Sequence, residues 1–208
     1  MKITWRDRDR DFLQTLEGGE TTFASLSHAL RENRVDFFKA IPGFEHVVDN
    51  YTQDIDCDEV YPNIYIGDAA TAKNKQYLQK IGITHVLNAA EGNRFGHVNT
   101  NQYYYRDTAI EYLGIPASDL PTVDISKYFN DAANFIDNAL KRNGKVFVHC
   151  VMGVSRSATC VIAFLMIKRN MLCADAIRLI RKSRSIHPND GFLRQLAALD
   201  NQLRRHRL

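Results

Sequence analysis

Lys145-Val146-Phe147-Val148-His149-Cys150-Val151-Met152-Gly153-Val154-Ser155-Arg156-Ser157-Ala158 decides how this chain is read. The first four residues are β-rich, and Ala158 to Arg169 is an apolar run of good helix formers. Between them a cysteine and an arginine stand six positions apart, with a glycine inside and a serine just after. The order is strand, tight loop, helix. That geometry aims successive backbone N–H groups into one concavity and sets a helix N-terminus beneath it, a cradle for a dianionic phosphate. Arg156 adds a planar fork able to hold two phosphate oxygens at once. The same field acts on Cys150, whose thiol would fall from about 8.5 into the range of roughly 3.5–7.5. Ser157 is placed to hydrogen-bond the sulfur, and His149 to orient the loop from below. A cysteine that merely ends a core strand is the ordinary alternative. It leaves unexplained an arginine in the first turn of a helix, where positive charge is unfavourable unless an anion joins it. The chemistry expected is nucleophilic phosphoryl transfer through Cys150.

His149-Cys150-x5-Arg156-Ser157 resembles the signature of cysteine-dependent protein phosphatases. Gly153, Ser155 and Ala163-Phe164-Leu165-Met166 narrow the resemblance to dual-specificity phosphatases. Ile83 to Gly92, His97-Val98-Asn99-Thr100 and Pro188-Asn189-Asp190-Gly191-Phe192 are similar to the small vaccinia-H1-related phosphatase and its atypical relatives. The likeness runs over about residues 56 to 204. It implies an α/β, cysteine-dependent phosphatase fold with a central, mostly parallel sheet flanked by helices. It implies Val151, Met152, Gly153, Val154, Ser155 and Arg156 around the substrate phosphate, with His149 and Asn189 in support. Arg184 matches an arginine near a second phosphate site in the vaccinia-H1-related enzyme. A phosphoprotein substrate follows, a signalling kinase among the candidates, with a homodimer left open. No cofactor, metal, nucleic acid or membrane is implied.

The periodicity agrees independently. Asp124 to Leu140 is the clearest helix, with Ile125, Phe129, Ala132, Ala133, Ile136 and Leu140 at intervals of three and four and Asp124 as N-cap. Helices are also expected over Ala69–Ile81, Cys173–Arg184 and Phe192–Leu203. Strands are expected at 59–61, 64–66, 83–87, 103–105, 110–115 and 145–148. Strands alternating with helices give an α/β domain, here residues 56–208. Residues 1–55 read as an N-terminal helical extension, with helices at Asp7–Leu16 and Phe23–Leu30 and apolar segments at Asp36–Ile41 and Phe44–Tyr51. Too small to fold alone, it is expected to cap the catalytic domain, with a recognition or dimerisation arm as the alternative.

A thiolate nucleophile needs an acid to protonate the departing oxygen. In open α/β sheets the functional loops gather at the carboxyl ends of the strands. Asp119, in the loop from Pro116 to Val123, is therefore the preferred general acid. It also fits the family pattern Tyr-Leu-Gly-x-x-Ala-x-Asp at Tyr112 to Asp119. Asp124 is the second candidate.

Composition sets outer bounds. Net charge is only +3, but residues 141–208 carry 14 Lys and Arg against 3 Asp, a balance of +11, and the rest of the chain stands at −8. Attraction of an anionic substrate and a solvated helix surface both explain this. Arg204-Arg205-His206-Arg207 is short and lacks interleaved aromatics, unlike a nucleic-acid site. No apolar run approaches the roughly 18 residues of a membrane span, and the charged first ten residues suggest no secretory leader. Cys57, Cys150, Cys160 and Cys173 lack metal-ligand spacing. They fit a reducing, cytoplasmic and also nuclear setting, as structural thiols or as traps for an oxidised Cys150. Within the loop Val151, Met152 and Val154 are apolar, where related enzymes acting on phosphoinositides or RNA triphosphates carry lysine or histidine. The resemblance therefore implies phosphotyrosine and phosphoserine or phosphothreonine in proteins as substrate, with a non-protein phosphate ester or a phosphate-binding scaffold without turnover as the alternatives. The vaccinia-H1-related enzyme has charged and aromatic residues at these three positions, so a doubly phosphorylated peptide is not implied.

Overall fold

The computed structural model describes residues 19–32, 41–43 and 55–207. The helix expected at 7–16 and the apolar segments at 36–40 and 44–51 lie outside those residues. Among the described residues, five strands form one mixed sheet: β1 (Cys57–Tyr61), β2 (Ile64–Gly67), β3 (His85–Asn88), β4 (Glu111–Gly114) and β5 (Val146–His149), in the order β1-β2-β5-β3-β4. The β1–β2 hairpin is antiparallel, and the other three pairings are parallel.

Alternation along the strands assigns the two faces. Ile64, Ile66, Leu87, Val146 and Val148 join one core, while Tyr65, Val86 and Phe147 join the other. The first core is covered by α4 (Phe129–Lys141), α5 (Arg156–Arg169), α6 (Cys173–Arg181) and α7 (Asp190–Arg207). The second is covered by α2 (Ala69–Lys73) and α3 (Lys75–Lys80). Residues 156 to 166 of α5 are all buried, as expected of a helix that is apolar on every side and packed all round.

Several local expectations are corrected. The helix expected over Ala69–Ile81 is two short helices, because Asn74 ends α2 and its side chain caps α3 by accepting from Tyr77 N at 2.9 Å. Tyr103 to Tyr105 forms turns and no strand. Tyr105 is fully buried and its hydroxyl donates to Ala72 O at 2.6 Å, Tyr104 donates to Lys73 O at 2.7 Å, and Tyr103 is exposed. The helix expected from Asp124 begins with a 3₁₀ turn, Ser126–Tyr128, and turns α at Phe129. Asp124 is not the N-cap, since Ile125 precedes the turn and Tyr128 the α-helix, neither with a side-chain cap bond; Asp124 Oδ1 instead accepts from Ser126 N and Oγ at 3.0 and 2.6 Å.

In the extension, α1 (Phe23–Glu32) packs on α6 and α7. Leu26, Ala29 and Leu30 are buried there. Thr21 Oγ1 donates to Asp200 Oδ2 at 2.6 Å, and Arg204 Nη1 donates to Gly19 O at 2.9 Å.

One register line positions everything that follows. Gly67, His149, Asn88 and Gly114 lie side by side across four strands. Each is the last residue of a parallel-running strand, so the loops that follow them emerge along one edge of the sheet.

Candidate active site

The loop from Cys150 to Ser155 joins β5 to α5. Every carbonyl in it is engaged from outside. Cys150 O accepts from His149 Nδ1 at 3.1 Å, Val151 O from Ala69 N at 3.0 Å, and Met152 O from Arg184 Nη2 at 3.2 Å. Gly153 O accepts from Arg184 Nε at 2.8 Å and Val154 O from His187 N at 2.9 Å. Ser155 O accepts from Thr159 N and Oγ1 at 2.9 and 2.8 Å. In a trans peptide the N–H points opposite to the preceding C=O. Carbonyls held away from the loop therefore leave its N–H groups to the Cys150 side, where those of Val154 and Ser157 reach the sulfur. Gly153 makes the bend, at φ +64°, a conformation that glycine enters at little cost.

Cys150 is buried. Burial alone would push its thiol up. The Ser157 hydroxyl, 3.4 Å from Sγ, the Ser157 N–H, the Arg156 guanidinium and the Val154 N–H outweigh it, and the thiol lies below its ordinary value. Burial pushes Cys57 and Cys160 up to about 12 and Cys173 up as well. All four cysteines are free, and only Cys150 is activated as a nucleophile. His149 is fully buried, its imidazole driven down to about 4 mainly by burial. It is thus a neutral prop whose Nδ1–H holds the Cys150 carbonyl.

Arg156 opens α5 and is 3% exposed. Its Nη1 donates to Gly96 O at 2.8 Å and Ala117 O at 3.0 Å, in the loops after β3 and β4. Its Nε has no hydrogen-bond partner among the described residues and stands 3.5 Å from Asp119 Oδ2. A buried guanidinium N–H left over at the mouth of an amide ring is matched to an oxyanion.

Asp119 reaches the same mouth from the β4 side. Its Oδ1 accepts from Ser155 Oγ at 2.7 Å and Asn189 Nδ2 at 2.8 Å. Asn189 also caps α7, its Oδ1 accepting from Phe192 N at 3.0 Å. Farther along α7, Gln195 Oε1 accepts from Ile125 N and Ser126 N, and its Nε2 donates to Val123 O at 2.8 Å. Gly191 lies so close to Pro121 O that no side chain would fit. The loop carrying Asp119 is therefore laid on the start of α7.

The sheet edge thus brings together Cys150, Ser155, Arg156, Ser157, Asp119 and Asn189 from separate stretches of the chain. A family model for the dual specificity phosphatase catalytic domain matches residues 64–202. The chain belongs to the dual-specificity phosphatase family. This phosphatase is 52% identical over 149 residues to dual specificity protein phosphatase 13B of both mouse and human, an alignment covering 71% of this chain and 74% of each relative. A crystal structure of DUSP15 superposes with a TM-score of 0.60 at 32% identity, covering 72% of this chain and 93% of that one. The chain is accordingly a protein phosphatase of the cysteine-dependent class.

In the loop of this phosphatase, the Val151 side chain is half-buried against the core, and that of Met152 is 68% exposed on the rim. Arg184, expected at a second substrate phosphate, is instead buried and tied to Asp56, Asp58 and the catalytic loop. Asp124 serves its own turn and not the mouth. Gly96, Ala117, Gln195, Ala69, Asp56 and Asp58 were not singled out from sequence. Asp68 is a legible cap for α2, whose Thr71 N donates to it at 2.8 Å, and it would have placed Ala69. The remainder act across long sequence separations and carry no local signal.

Proposed function

We propose that this phosphatase hydrolyses phosphotyrosine and phosphoserine or phosphothreonine in proteins by a two-step displacement at Cys150. In the first step Sγ bonds to phosphorus as the phosphorus–oxygen ester bond breaks, and Asp119 gives its proton to the departing oxygen. In the second, the Asp119 carboxylate takes a proton from water. The water oxygen bonds to phosphorus and the sulfur–phosphorus bond breaks, with the Ser157 hydroxyl stabilising the sulfur that leaves. The products are the free side chain and inorganic phosphate. In both steps the equatorial oxygens are held by the N–H groups of Val151 to Arg156 and by the Arg156 side chain.

The observation that carries this reading is the engagement of six consecutive loop carbonyls, which supports an amide cradle beside a depressed Cys150 thiol and a buried Arg156 Nε–H. The two hydrogen bonds into Asp119 Oδ1 support its role, because they fix the carboxyl group at the mouth of the loop. Apolar Val151, Met152 and Val154, with exposed Leu120 beside Asp119, support a peptide substrate over a polyphosphorylated small molecule. A phosphorylated signalling kinase is the kind of substrate protein inferred. A reducing setting, cytoplasm and nucleus, suits a thiolate nucleophile, and imaging a tagged chain tests it.

The deciding experiment is hydrolysis of an aryl phosphate, then of phosphotyrosyl and phosphothreonyl peptides, with vanadate as inhibitor. Turnover of all three with inhibition is expected. Absence of turnover, or turnover insensitive to vanadate, would remove the proposal.

A further inference from the structure

Arg184 follows α6 and is 5% exposed. An arginine has five N–H donors, and all five are used here. Nε donates to Gly153 O at 2.8 Å, and Nη2 donates to Met152 O at 3.2 Å and Asp56 Oδ2 at 2.6 Å. Nη1 donates to Asp56 Oδ1 at 2.6 Å and Asp58 Oδ2 at 2.8 Å. No donor is left for a substrate. One guanidinium against two carboxylates also leaves this side of the mouth net negative, which repels a second anion.

The carboxylates are themselves fixed. Asp58 lies in β1, paired with Ile66. Asp56 N donates to Thr71 Oγ1 at 2.9 Å, and Asp56 O accepts from Asp68 N at 3.2 Å. These are the residues that cap α2, whose Ala69 N holds Val151 O. The start of β1 and the start of α2 therefore form one anchored block, and Arg184 transmits it to the catalytic loop. A Cβ on Gly153 would lie 2.5 Å from both Arg184 Nη2 and Gly67 O, so the fit leaves no slack.

We propose that Arg184, held by Asp56 and Asp58, is a positioning residue for phosphoryl transfer: it pins the Met152 and Gly153 carbonyls outward and so aims the following N–H groups at the substrate phosphate. This rests on the reading of the Cys150 loop as the phosphoryl site. Arg184 acts through the loop and touches no reacting atom.

The test compares the full-length wild type with Arg184→Met and Asp56→Asn. Three measurements are made on each: aryl phosphate turnover, vanadate inhibition, and the acid limb of kcat/KM, which reports Cys150. The two variants change the local charge in opposite directions but loosen the loop in the same one. Both are expected to weaken vanadate binding and to move the acid limb up, Arg184→Met losing about 10- to 100-fold in kcat/KM and Asp56→Asn less. Limbs that move in opposite directions would identify a charge effect and overturn the proposal. Turnover of a doubly phosphorylated peptide is assayed beside these, and a loss confined to it would make Arg184 a substrate subsite and overturn the proposal as well. A lowered melting temperature with vanadate affinity and acid limb unmoved would make the clamp purely structural and overturn it too. Should Arg184→Met not fold, the same three measurements on Asp56→Asn decide the matter. A wild type that neither turns over aryl phosphate nor binds vanadate would refute the site itself, an outcome separate from a working wild type with unmoved variants.

Discussion

The loop bearing Cys150 and the loop bearing Asp119 face the same substrate but are built in opposite ways. The first has Cys150, Gly153 and Ser155 buried and is tied through its backbone, carbonyl by carbonyl, between a core strand and a core helix. The second is exposed at Asp119 and is held by side chains of another element, Asn189 and Gln195 of the α7 region. The difference follows from what each must do. An oxyanion cradle has to keep its dipoles aimed before substrate arrives, since reorganising them during reaction would cost the stabilisation they give. An acid must surrender and recover a proton, which requires access to water.

Removing chemistry from the buried loop should do the greatest damage. Cys150→Ser is expected to lower kcat by about 10,000-fold or more while phosphopeptide binding persists, measured by turnover and by equilibrium titration. Wild-type kcat/KM should fall as pH drops through the Cys150 value, at a pH below that of an ordinary thiol, because only the thiolate attacks. Iodoacetate alkylation against pH checks this directly.

Asp119→Asn should come next, slowing turnover by roughly 100-fold or more. Activated aryl leaving groups should suffer least, because they depart without needing a proton. An equal loss for activated and unactivated leaving groups, or undiminished turnover, would break the contrast by removing Asp119 from proton donation.

Gly153→Ala tests the rigidity of the cradle without removing a functional group. At φ +64° with Gly67 O and Arg184 Nη2 already in place, the methyl must displace backbone. A loss of about 10- to 100-fold in kcat/KM is expected, with weaker vanadate inhibition. Asn189→Ala sharpens the other side. It removes one of two hydrogen bonds into Asp119 and a helix cap. A loss of about fivefold in kcat, equivalent to one hydrogen bond worth ~1 kcal/mol, is expected with vanadate affinity intact. If Asn189→Ala weakened vanadate as much as Gly153→Ala does, the two loops would not be separable.

What the sequence by itself determined was whatever is local. Strand, loop and helix from Lys145 to Arg169 share one short stretch, so Cys150, Arg156 and Ser157 were legible together, and the alternation and helical spacing gave the α/β sheet and its helices. Asp119 was reached through topology and resemblance, because strand ends dictate where loops gather. A boundary escapes the periodic pattern wherever a side chain interrupts regular structure, as Asn74 does between α2 and α3.

Only the tertiary structure decided the partners of Arg184 and the seating of the acid loop. Arg184 and Asp56 stand 128 residues apart, and an arginine that looks free to bind phosphate along the chain is saturated once the sheet and α2 bring two carboxylates to it. The physical reason is that hydrogen bonds depend on position in space. Secondary structure repeats along the chain and can be read there, whereas which buried donors are already satisfied is fixed only when the distant segments have packed.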